Sequence, residues 1–408
     1  MNKTFCVLPW VHVRVKHDQK VFPCSVWHED NGKPFGYTSK NTIDEIANSS
    51  TFNQLRKNML QGIPSEGCNA CYNRDNAEKT NNHEVSMRQH FNRIFEHDKE
   101  RIIRTTNADG SLQEPFKLKA LFIQYSNLCN LGCRSCGPSF SSFIAQENKD
   151  PTPVIKITDR DPKAFEQIMD RLHEVEFINF AGGESAFIEE HWQILDRLIE
   201  LKKTDVVVHW ITNLSMISYK KRNLIEYSKR LPKMLIKASV DATHQRGELY
   251  RHNTVWSTVE NNLKTLFKSS VRYQVHCTIG ATNIWHLPDM HQYMLKNELI
   301  SPKLPYAFTG NMLFKPEPLC ATVLPQNIKK DVTKKIHQHV EWLRTNRVHT
   351  NKNFWNHVIE YMNERDNSHL IPKFIEYNTN LDNKRNQSLF ETFPELRPLL
   401  NHNMVGPP

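Results

Sequence analysis

The chain has 408 residues, and its hydrophobic content of 38% is that of a globular protein and excludes an intrinsically disordered one. This length predicts two or three domains. The net charge of +9, with 20 histidines besides, would suit nucleic-acid binding, but the lysines and arginines are dispersed along predicted helices, which favours solvated helix faces.

The hydropathy pattern argues against a membrane protein. No run approaches the ~18 apolar residues needed to span a bilayer. Residues Met1–Phe5 lack the apolar core of a signal peptide, so we expect a cytoplasmic protein. In that reducing compartment the cysteines are expected to bind metal or stay free, and not to form disulfides.

The first predicted elements are a β-hairpin and a helix. Val11–Val15 and Lys20–Phe22 alternate around a polar turn. Asn41 or Thr42 is a candidate N-cap with Glu45 at capping-box distance, and apolar residues follow at helical spacing to residue 60.

Four cysteines accompany this hairpin and helix: Cys6, Cys24, Cys68 and Cys71. The last two form a Cys-x2-Cys pair, which is common in zinc sites. Four cysteines can also ligate a [4Fe–4S] cluster fully, and the wide spacing of the first two fits a zinc knuckle poorly.

A second cysteine group follows a predicted charged helix at residues 76–104 and a linker. Leu118–Tyr125 is apolar enough to be a buried strand, and the loop after it carries Cys129, Cys133 and Cys136. Three thiolates on one loop can hold three irons of a cubane and leave the fourth iron open to activate another molecule. A structural metal site is the alternative. In α/β barrels, active sites are built at this end of a strand.

A glycine pair ends the next predicted strand, within Phe177–Ser185. Gly182 and Gly183 would let the backbone pass close to a ligand, and Glu184 adds a carboxylate at the strand's end. An ordinary strand-to-helix turn is the commoner meaning of two glycines.

Four further strands are predicted: Val206–Leu214, Leu235–Asp241, Tyr273–Ile279 and a weaker one near Tyr306–Thr309. Polar residues end two of them, Thr212 and Asn213 in the first and Ser239 and Asp241 in the second, and Arg251 follows. Each is a candidate ligand-binding residue, with a surface polar residue as the alternative.

The C-terminal part is predicted to be helical. Apolar residues recur at helical intervals in Gln326–Arg347 and Asn351–Glu364. Phe393–Pro398 and Met404–Pro408 predict a loosely held tail.

The Cys-x3-Cys-x2-Cys loop followed by Gly182, Gly183 and Glu184 resembles the radical S-adenosylmethionine (SAM) superfamily. The resemblance implies an α/β fold, a partial (βα)6 TIM-like barrel, with SAM and a [4Fe–4S] cluster as cofactors. In that family the open iron binds the amino and carboxylate groups of SAM. An electron from the cluster then cleaves SAM to a 5′-deoxyadenosyl radical, which abstracts a substrate hydrogen atom.

The same resemblance implies roles for individual residues. Gly182–Glu184 would hydrogen-bond the SAM ammonium, Ser239 would contact the ribose, and Arg251 would pair with the methionine carboxylate. The remaining polar residues of the SAM pocket would be Thr212, Asn213 and Asp241. One position departs from the family, which often has an aromatic residue before the third cysteine, where this chain has Ser135.

Two cysteines lie outside the candidate metal sites. Cys277 and Cys320 are interpreted as small buried hydrophobic residues. Because Cys277 falls on a predicted barrel strand, the alternative for it is a catalytic thiol that donates hydrogen to a substrate radical.

The N-terminal hairpin, helix and Cys-x2-Cys pair resemble the SPASM/twitch auxiliary-cluster module, which usually follows the barrel. This implies a second [4Fe–4S] cluster that accepts an electron or holds the substrate. The predicted domains are an auxiliary module at 1–75, a helix and linker at 76–114, the barrel at 115–320 and a helical extension at 321–408.

The implied substrate is a peptide, a protein or a small polar metabolite, and the implied electron donor is a flavodoxin or a ferredoxin. Two alternatives stay open. A methylthiotransferase-like radical SAM enzyme acting on RNA or protein also carries an N-terminal cluster. A non-enzymatic zinc-binding nucleic-acid module would bind no SAM.

Overall fold

The computed structural model describes residues 3–27, 33–77, 86–350 and 352–404. Its contacts divide the chain into two compact units. The first unit takes in Met1–Leu128, Asp150–Trp210 and Tyr227–Met234, and the second takes in Cys129–Lys149, Ile211–Glu226 and Leu235–Pro408. Within the described residues, no helix has both the length and the apolar character needed to cross a membrane.

The first unit begins with short elements around the four N-terminal cysteines. In chain order they are α1 (Leu8–Val11), β1 (Arg14–Val15), β2 (Lys20–Phe22), β3 (Gly36–Tyr37), α2 (Ile43–Ala47), α3 (Ser50–Gln61), a 3-10 turn (Glu66–Cys68), α4 (Asn69–Ala77), α5 (Met87–Ile94) and α6 (Lys99–Arg104). The predicted hairpin is present as β1 and β2, paired antiparallel, and β3 adds a third strand. Val11 belongs to α1 and not to the hairpin, because Pro9 starts a helical turn there.

The predicted first helix is two helices. Thr42 caps α2 with the full capping box, in which the Glu45 backbone N–H donates to Thr42 Oγ1 at 3.2 Å and the Thr42 N–H donates to Glu45 Oε2 at 2.8 Å. Ser49 then caps α3, because its hydroxyl accepts the N–H of Phe52. The charged helix predicted at 76–104 is likewise broken into α5 and α6 by a 3-10 turn, and its residues 78–85 lie outside the described residues.

Six strands form one sheet, in the spatial order β13, β12, β10, β7, β6 and β4. Its strands are β4 (Ala120–Ile123), β6 (Phe177–Phe180), β7 (Val207–Thr212), β10 (Met234–Ser239), β12 (Tyr273–Ile279) and β13 (Phe308–Met312), while two short ladders contain β5 (Gly132–Cys133), β8 (Ser218–Tyr219), β9 (Arg222–Asn223) and β11 (Arg251–His252). Within the first unit β4, β6 and β7 pair in parallel, and within the second β10, β12 and β13 do. A parallel sheet of six strands with helices confirms the predicted α/β class.

Strands β7, β10 and β12 bury one face and leave the other half-exposed. In β10 the side chains of Ile236 and Ala238 are buried, while those of Lys237 and Ser239 are half-exposed. β12 alternates in the same way, with His276 half-exposed. The period of two therefore separates an apolar face from a polar one.

The helices between and after these strands are α7 (Ser142–Glu147), α8 (Ile157–Arg160), α9 (Pro162–Asp170), α10 (Glu189–Glu200), α11 (Leu224–Arg230), α12 (His244–Tyr250), α13 (Trp256–Ser269), α14 (Leu287–Lys296), α15 (Gln326–Thr345), α16 (Lys352–Asn363), α17 (Ile371–Arg385) and α18 (Leu389–Thr392). The predicted loose tail is wrong for Phe393–Pro398, since Phe393, Leu396 and Leu399 are buried. Leu396 and Leu399 belong to a 3-10 segment, Pro394–Met404, which contacts α17 and α18. Residues 405–408 lie outside the described residues.

Candidate functional site: two cysteine sites and a polar strand face

The four N-terminal cysteines line one cavity in the first unit. Cys6 precedes α1, Cys24 follows β2, Cys68 ends the 3-10 turn and Cys71 lies in the first turn of α4. The cavity is otherwise lined mainly by apolar side chains, among them Leu55 and Met59.

The surroundings of these thiols fit a bound metal cluster. Burial, followed by the nearby thiols, raises the pKa of Cys24 to about 12 and that of Cys68 to about 11. Burial and the same neighbours also raise the pKa of Cys6. Four thiolates in one apolar cavity repel one another unless a cation neutralises them, which is what bound iron or zinc does.

The second cysteine loop lies in the second unit. Gly132 and Cys133 form β5, which pairs antiparallel with β11 so that Cys133 stands opposite Arg251. The Cys136 N–H donates to the carbonyl of Cys133 at 3.0 Å, and the Cys129 N–H donates to the Ser142 hydroxyl at 3.1 Å. Burial raises the pKa of Cys133 to about 12, while the Arg251 guanidinium opposes this rise and favours the thiolate. All three thiols are half-exposed and free of disulfides, as metal ligation requires.

Arg251 is held in place by Asp241. Its Nε donates to Asp241 Oδ2 at 2.7 Å, and the other oxygen of this buried carboxylate accepts the Thr278 N–H at 2.7 Å. Although burial lowers the pKa of Arg251, the Asp241 carboxylate raises it on balance, so the guanidinium stays charged. Both Asp241 oxygens are thus engaged within the protein, which favours a positioning role over the direct SAM contact that the sequence suggested.

The glycine pair packs on the segment that leads to the cysteine loop, within the first unit. Gly182 has φ +92°, and a Cβ there would lie 2.7 Å from the carbonyl oxygen of Ser126. A Cβ on Gly183 would lie 2.1 Å from the carbonyl oxygen of Leu128, which leaves no room for a side chain. The Glu184 N–H donates to that same carbonyl at 2.7 Å, and Glu184 Oε1 accepts the Ala186 N–H at 3.0 Å. The turn is therefore fixed to the residue before Cys129.

The remaining candidates separate into loop-holding and face-lining residues. Asn213 Nδ2 donates to Asn130 Oδ1 at 2.9 Å, so Asn213 holds the residue after Cys129. Thr212 caps its own turn, with Oγ1 accepting the Leu214 N–H at 3.1 Å. Ser239 ends β10 on the polar strand face, opposite His276 in the register.

Cys277 lies on the other face of β12. It is fully buried with Val275 and Ile279, and burial raises the pKa of its thiol. The alternation places it away from Ser239 and His276, so the structure favours a packing role for Cys277 over hydrogen donation. Cys320 is buried as well.

Several residues of these sites were not predicted. Lys237 and His276 share the polar face with Ser239, and burial, followed by the Lys237 cation, lowers the pKa of His276 to about 4. Strict alternation in the two strands was the signal that could have found them. Arg14 donates to the carbonyl of Ser25, next to Cys24, at 3.3 Å and to Gln124 Oε1 at 2.9 Å, and no local pattern indicates this contact.

The comparisons with known proteins agree with part of this description. A family model described as the SPASM iron–sulfur cluster-binding domain matches residues 6–72. No curated protein matches the sequence.

Solved structures give partial likenesses. Native anSMEcpe with bound AdoMet is 18% identical with a TM-score of 0.39, over 55% of this chain and 59% of that one. SuiB of Streptococcus suis bound to its precursor peptide SuiA is 11% identical with a TM-score of 0.37, over 84% and 71%. TYW1 with a lysine-pyruvate adduct is 12% identical with a TM-score of 0.28, over 56% and 71%. The chain spans only 59% to 63% of the length of the anSMEcpe structures it matches.

The match to residues 6–72 covers all four N-terminal cysteines and ends within helix α4. It confirms the predicted auxiliary module and its place near the start of the chain. Residues 6–72 thus match an iron–sulfur cluster-binding domain of the SPASM type.

Proposed function

We propose that this protein is a radical SAM enzyme. The observation that carries the proposal is the division of seven cysteines into a complete set of four and a separate loop of three. The complete set suits electron transfer or structure, whereas the loop of three leaves one iron of a cubane without a protein ligand. When bound there, the cluster and SAM would supply a radical that removes a hydrogen atom from the substrate.

The chain's own residues would bind and orient SAM. Glu184 would accept hydrogen bonds from the ammonium, on a turn that Gly182 and Gly183 allow to pack against Ser126 and Leu128. Arg251, aimed by Asp241 and standing opposite Cys133, would grip the methionine carboxylate with the Nη groups that Asp241 leaves to it. Ser239 would contact the ribose from the end of β10.

We propose a peptide or protein as the substrate. Two of the similar structures, anSMEcpe with the Kp18Cys peptide and SuiB with the precursor peptide SuiA, hold peptides. A small polar metabolite is the second candidate, because the polar face of β10 and β12 carries Lys237 and His276 beside Ser239. A flavodoxin or ferredoxin would supply the electron, and a reducing cytoplasm would keep the thiols free.

Replacement of Cys129, Cys133 and Cys136 by Ala tests the proposal. After anaerobic reconstitution the unaltered protein should hold about eight irons and sulfides per chain, and the triple variant about four. The reduced unaltered protein should convert SAM to 5′-deoxyadenosine, and the triple variant should form none. Cys277→Ala and Cys320→Ala are the matched controls and should retain all the iron.

The outcomes also separate the alternatives. Colourless protein that contains zinc and binds no SAM would contradict the proposal in favour of a zinc-binding module. Formation of 5′-deoxyadenosine by the triple variant would contradict the assignment of the loop. Sulfur transfer to RNA or protein in the presence of SAM would identify a methylthiotransferase-like enzyme.

A further inference from the structure

Helix α17, far along the chain from the cysteine loop, contacts that loop directly. Its residues Asn378, Asp382 and Arg385 follow one another at intervals of four and three, so they lie on one face of the helix. All their partners described below lie in the same unit. The sequence gives no reason for α17 to meet this loop.

The first contact is made by Arg134, which lies between two of the loop's cysteines and is 2% exposed. Its Nη1 donates to Asn378 Oδ1 at 2.9 Å, and its Nη2 donates to Asp382. The Arg134 carbonyl in turn accepts the Tyr377 hydroxyl at 2.7 Å. A buried guanidinium needs such a carboxylate, so Asp382 fixes where this part of the loop lies.

The second contact brings a positive charge to the residue beside a candidate ligand. Arg385 Nη1 donates to the carbonyl of Gly132, the residue before Cys133, at 2.7 Å. Its other two nitrogens donate to Glu147 at 2.9 and 2.8 Å. A Cβ on Gly132 would lie 2.9 Å from Arg385 Nη2, so glycine is the residue that admits this approach.

The burial of Arg385 and Glu147 strengthens the electrostatic effect of their charges on the loop. The side chain of Arg385 is 2% exposed and that of Glu147 is 13% exposed, so water screens them little. The potential of an iron–sulfur cluster depends on nearby charge, hydrogen bonding and solvent exposure. A guanidinium within one residue of Cys133 would therefore stabilise the reduced form of a cluster on this loop, which carries one more negative charge, and the Glu147 carboxylate would oppose that effect.

We propose that Arg385 is a positioning residue which, together with Glu147, sets the reduction potential of the cluster on the Cys129–Cys136 loop. The inference rests on the proposed function, because it requires a cluster there. It assigns to the C-terminal helix a role in the chemistry of a loop that precedes it by more than 200 residues.

Two variants that each remove one charge, with opposite expected signs, test the inference. Arg385→Gln removes the positive charge and should make the midpoint potential more negative. Glu147→Gln removes the negative charge and should make it more positive, a reversal that mere loosening of the loop would not produce. Arg385→Lys keeps the charge and should restore a potential close to that of the unaltered protein. Arg246→Gln breaks the Arg246–Glu395 pair, which lies elsewhere in the same unit, and is the control.

The measurement is an anaerobic redox titration of the cluster whose EPR spectrum changes when SAM is added, with iron content measured alongside. Equal potentials in Arg385→Gln, Glu147→Gln and the unaltered protein would overturn this inference and leave the proposed function standing. A shift in the same direction in both variants would also overturn it, since that indicates only altered packing. Absence of a cluster on the loop in the unaltered protein would overturn both.

Discussion

At the scale of single residues, the buried carboxylate of Asp241 positions the guanidinium of Arg251. Asp241 is buried and takes hydrogen bonds from Arg251 and from the backbone of Thr278. Its negative charge keeps the guanidinium ionised and fixes its direction, while β11 fixes the backbone of Arg251 beside Cys133. The carboxylate therefore acts through the arginine.

Arg251→Lys should weaken SAM binding roughly ten- to a hundredfold, because a point charge cannot reproduce a bidentate grip on a carboxylate. Asp241→Asn should weaken it too, since the guanidinium loses the group that aims it. Calorimetric titration with SAM under anaerobic conditions measures both. Arg246→Lys, at an ion pair elsewhere in the same unit, is the control and should bind SAM normally. Unaltered affinity in Arg251→Lys and Asp241→Asn would show that the methionine carboxylate binds elsewhere.

At the scale of elements, helix α10 carries a buried histidine whose charge state makes stability depend on pH. The His191 ring packs on Phe180 and Trp210, with ring centroids 4.8 and 6.0 Å apart. Burial lowers the pKa of His191 to about 3. The unfolded chain has the ordinary value near 6.5, so below that pH only the unfolded state gains the proton.

Stability from His191 is therefore complete above about pH 6.5 and is lost as the pH falls toward 3. Between pH 6.5 and 5.5 the expected loss is roughly 1 kcal/mol. Melting temperatures at pH 7.5 and 5.5 measure it: His191→Leu should show a smaller drop on acidification than the unaltered protein. His337→Leu, an exposed histidine on α15, should show the full drop. An equal drop in His191→Leu would mean that His191 is not the group responsible.

Local signals predicted the elements that depend on neighbouring residues. The Thr42–Glu45 capping box and strand β12 were predicted correctly, because the capping box spans only four residues and the strand shows its period within seven. The break at Ser49 was missed, because apolar spacing runs on through α3 and hides a second cap. The hairpin was predicted without β3, which pairs with β2 after a long intervening segment.

Contacts between distant residues could not be predicted. Phe393 looked like part of a tail because nothing in its local sequence shows that it is buried, with the Arg246 guanidinium over its ring. The contact between Arg134 and Asp382 spans 248 residues, and no pattern in the sequence of either segment indicates it. The candidate cysteine ligands could be predicted from the sequence because their spacing is local. The residues that position them could not, because they come from other elements.

At the scale of the whole molecule, the two cysteine groups belong to different units of the chain. Cys6, Cys24, Cys68 and Cys71 lie in the first unit, and Cys129, Cys133 and Cys136 lie in the second. Within the first unit, bridges pair His12 with Ala120 and Lys16 with Gln124, so the auxiliary module runs beside β4. A module near the start of the chain can thus adjoin the strand that precedes the cysteine loop.

Removal of two auxiliary ligands should separate the roles of the two clusters. The double variant Cys68→Ala, Cys71→Ala should lose about half its iron, keep the loop cluster and still cleave SAM slowly without substrate. Substrate turnover should fall sharply, because the auxiliary cluster is the proposed electron acceptor or substrate anchor. Iron analysis, the SAM-sensitive EPR signal and 5′-deoxyadenosine formation measure the first three effects. Cys320→Ala is the control for loss of a buried thiol.

Loss of the fold in the double variant would identify the auxiliary cluster as structural, since metal binding supplies folding energy to small cysteine-ligated domains. The melting temperature of the double variant decides this point. The conservative variant Cys71→Ser then serves as a second test, because an oxygen ligand can hold the cluster while altering its potential. Full product formation by a folded double variant that lacks the second cluster would rule out the electron-acceptor role. Loss of product with intact SAM cleavage would support the electron-acceptor role. In that case the cluster on the Cys129–Cys136 loop would still cleave SAM, but no second cluster would accept an electron from the substrate.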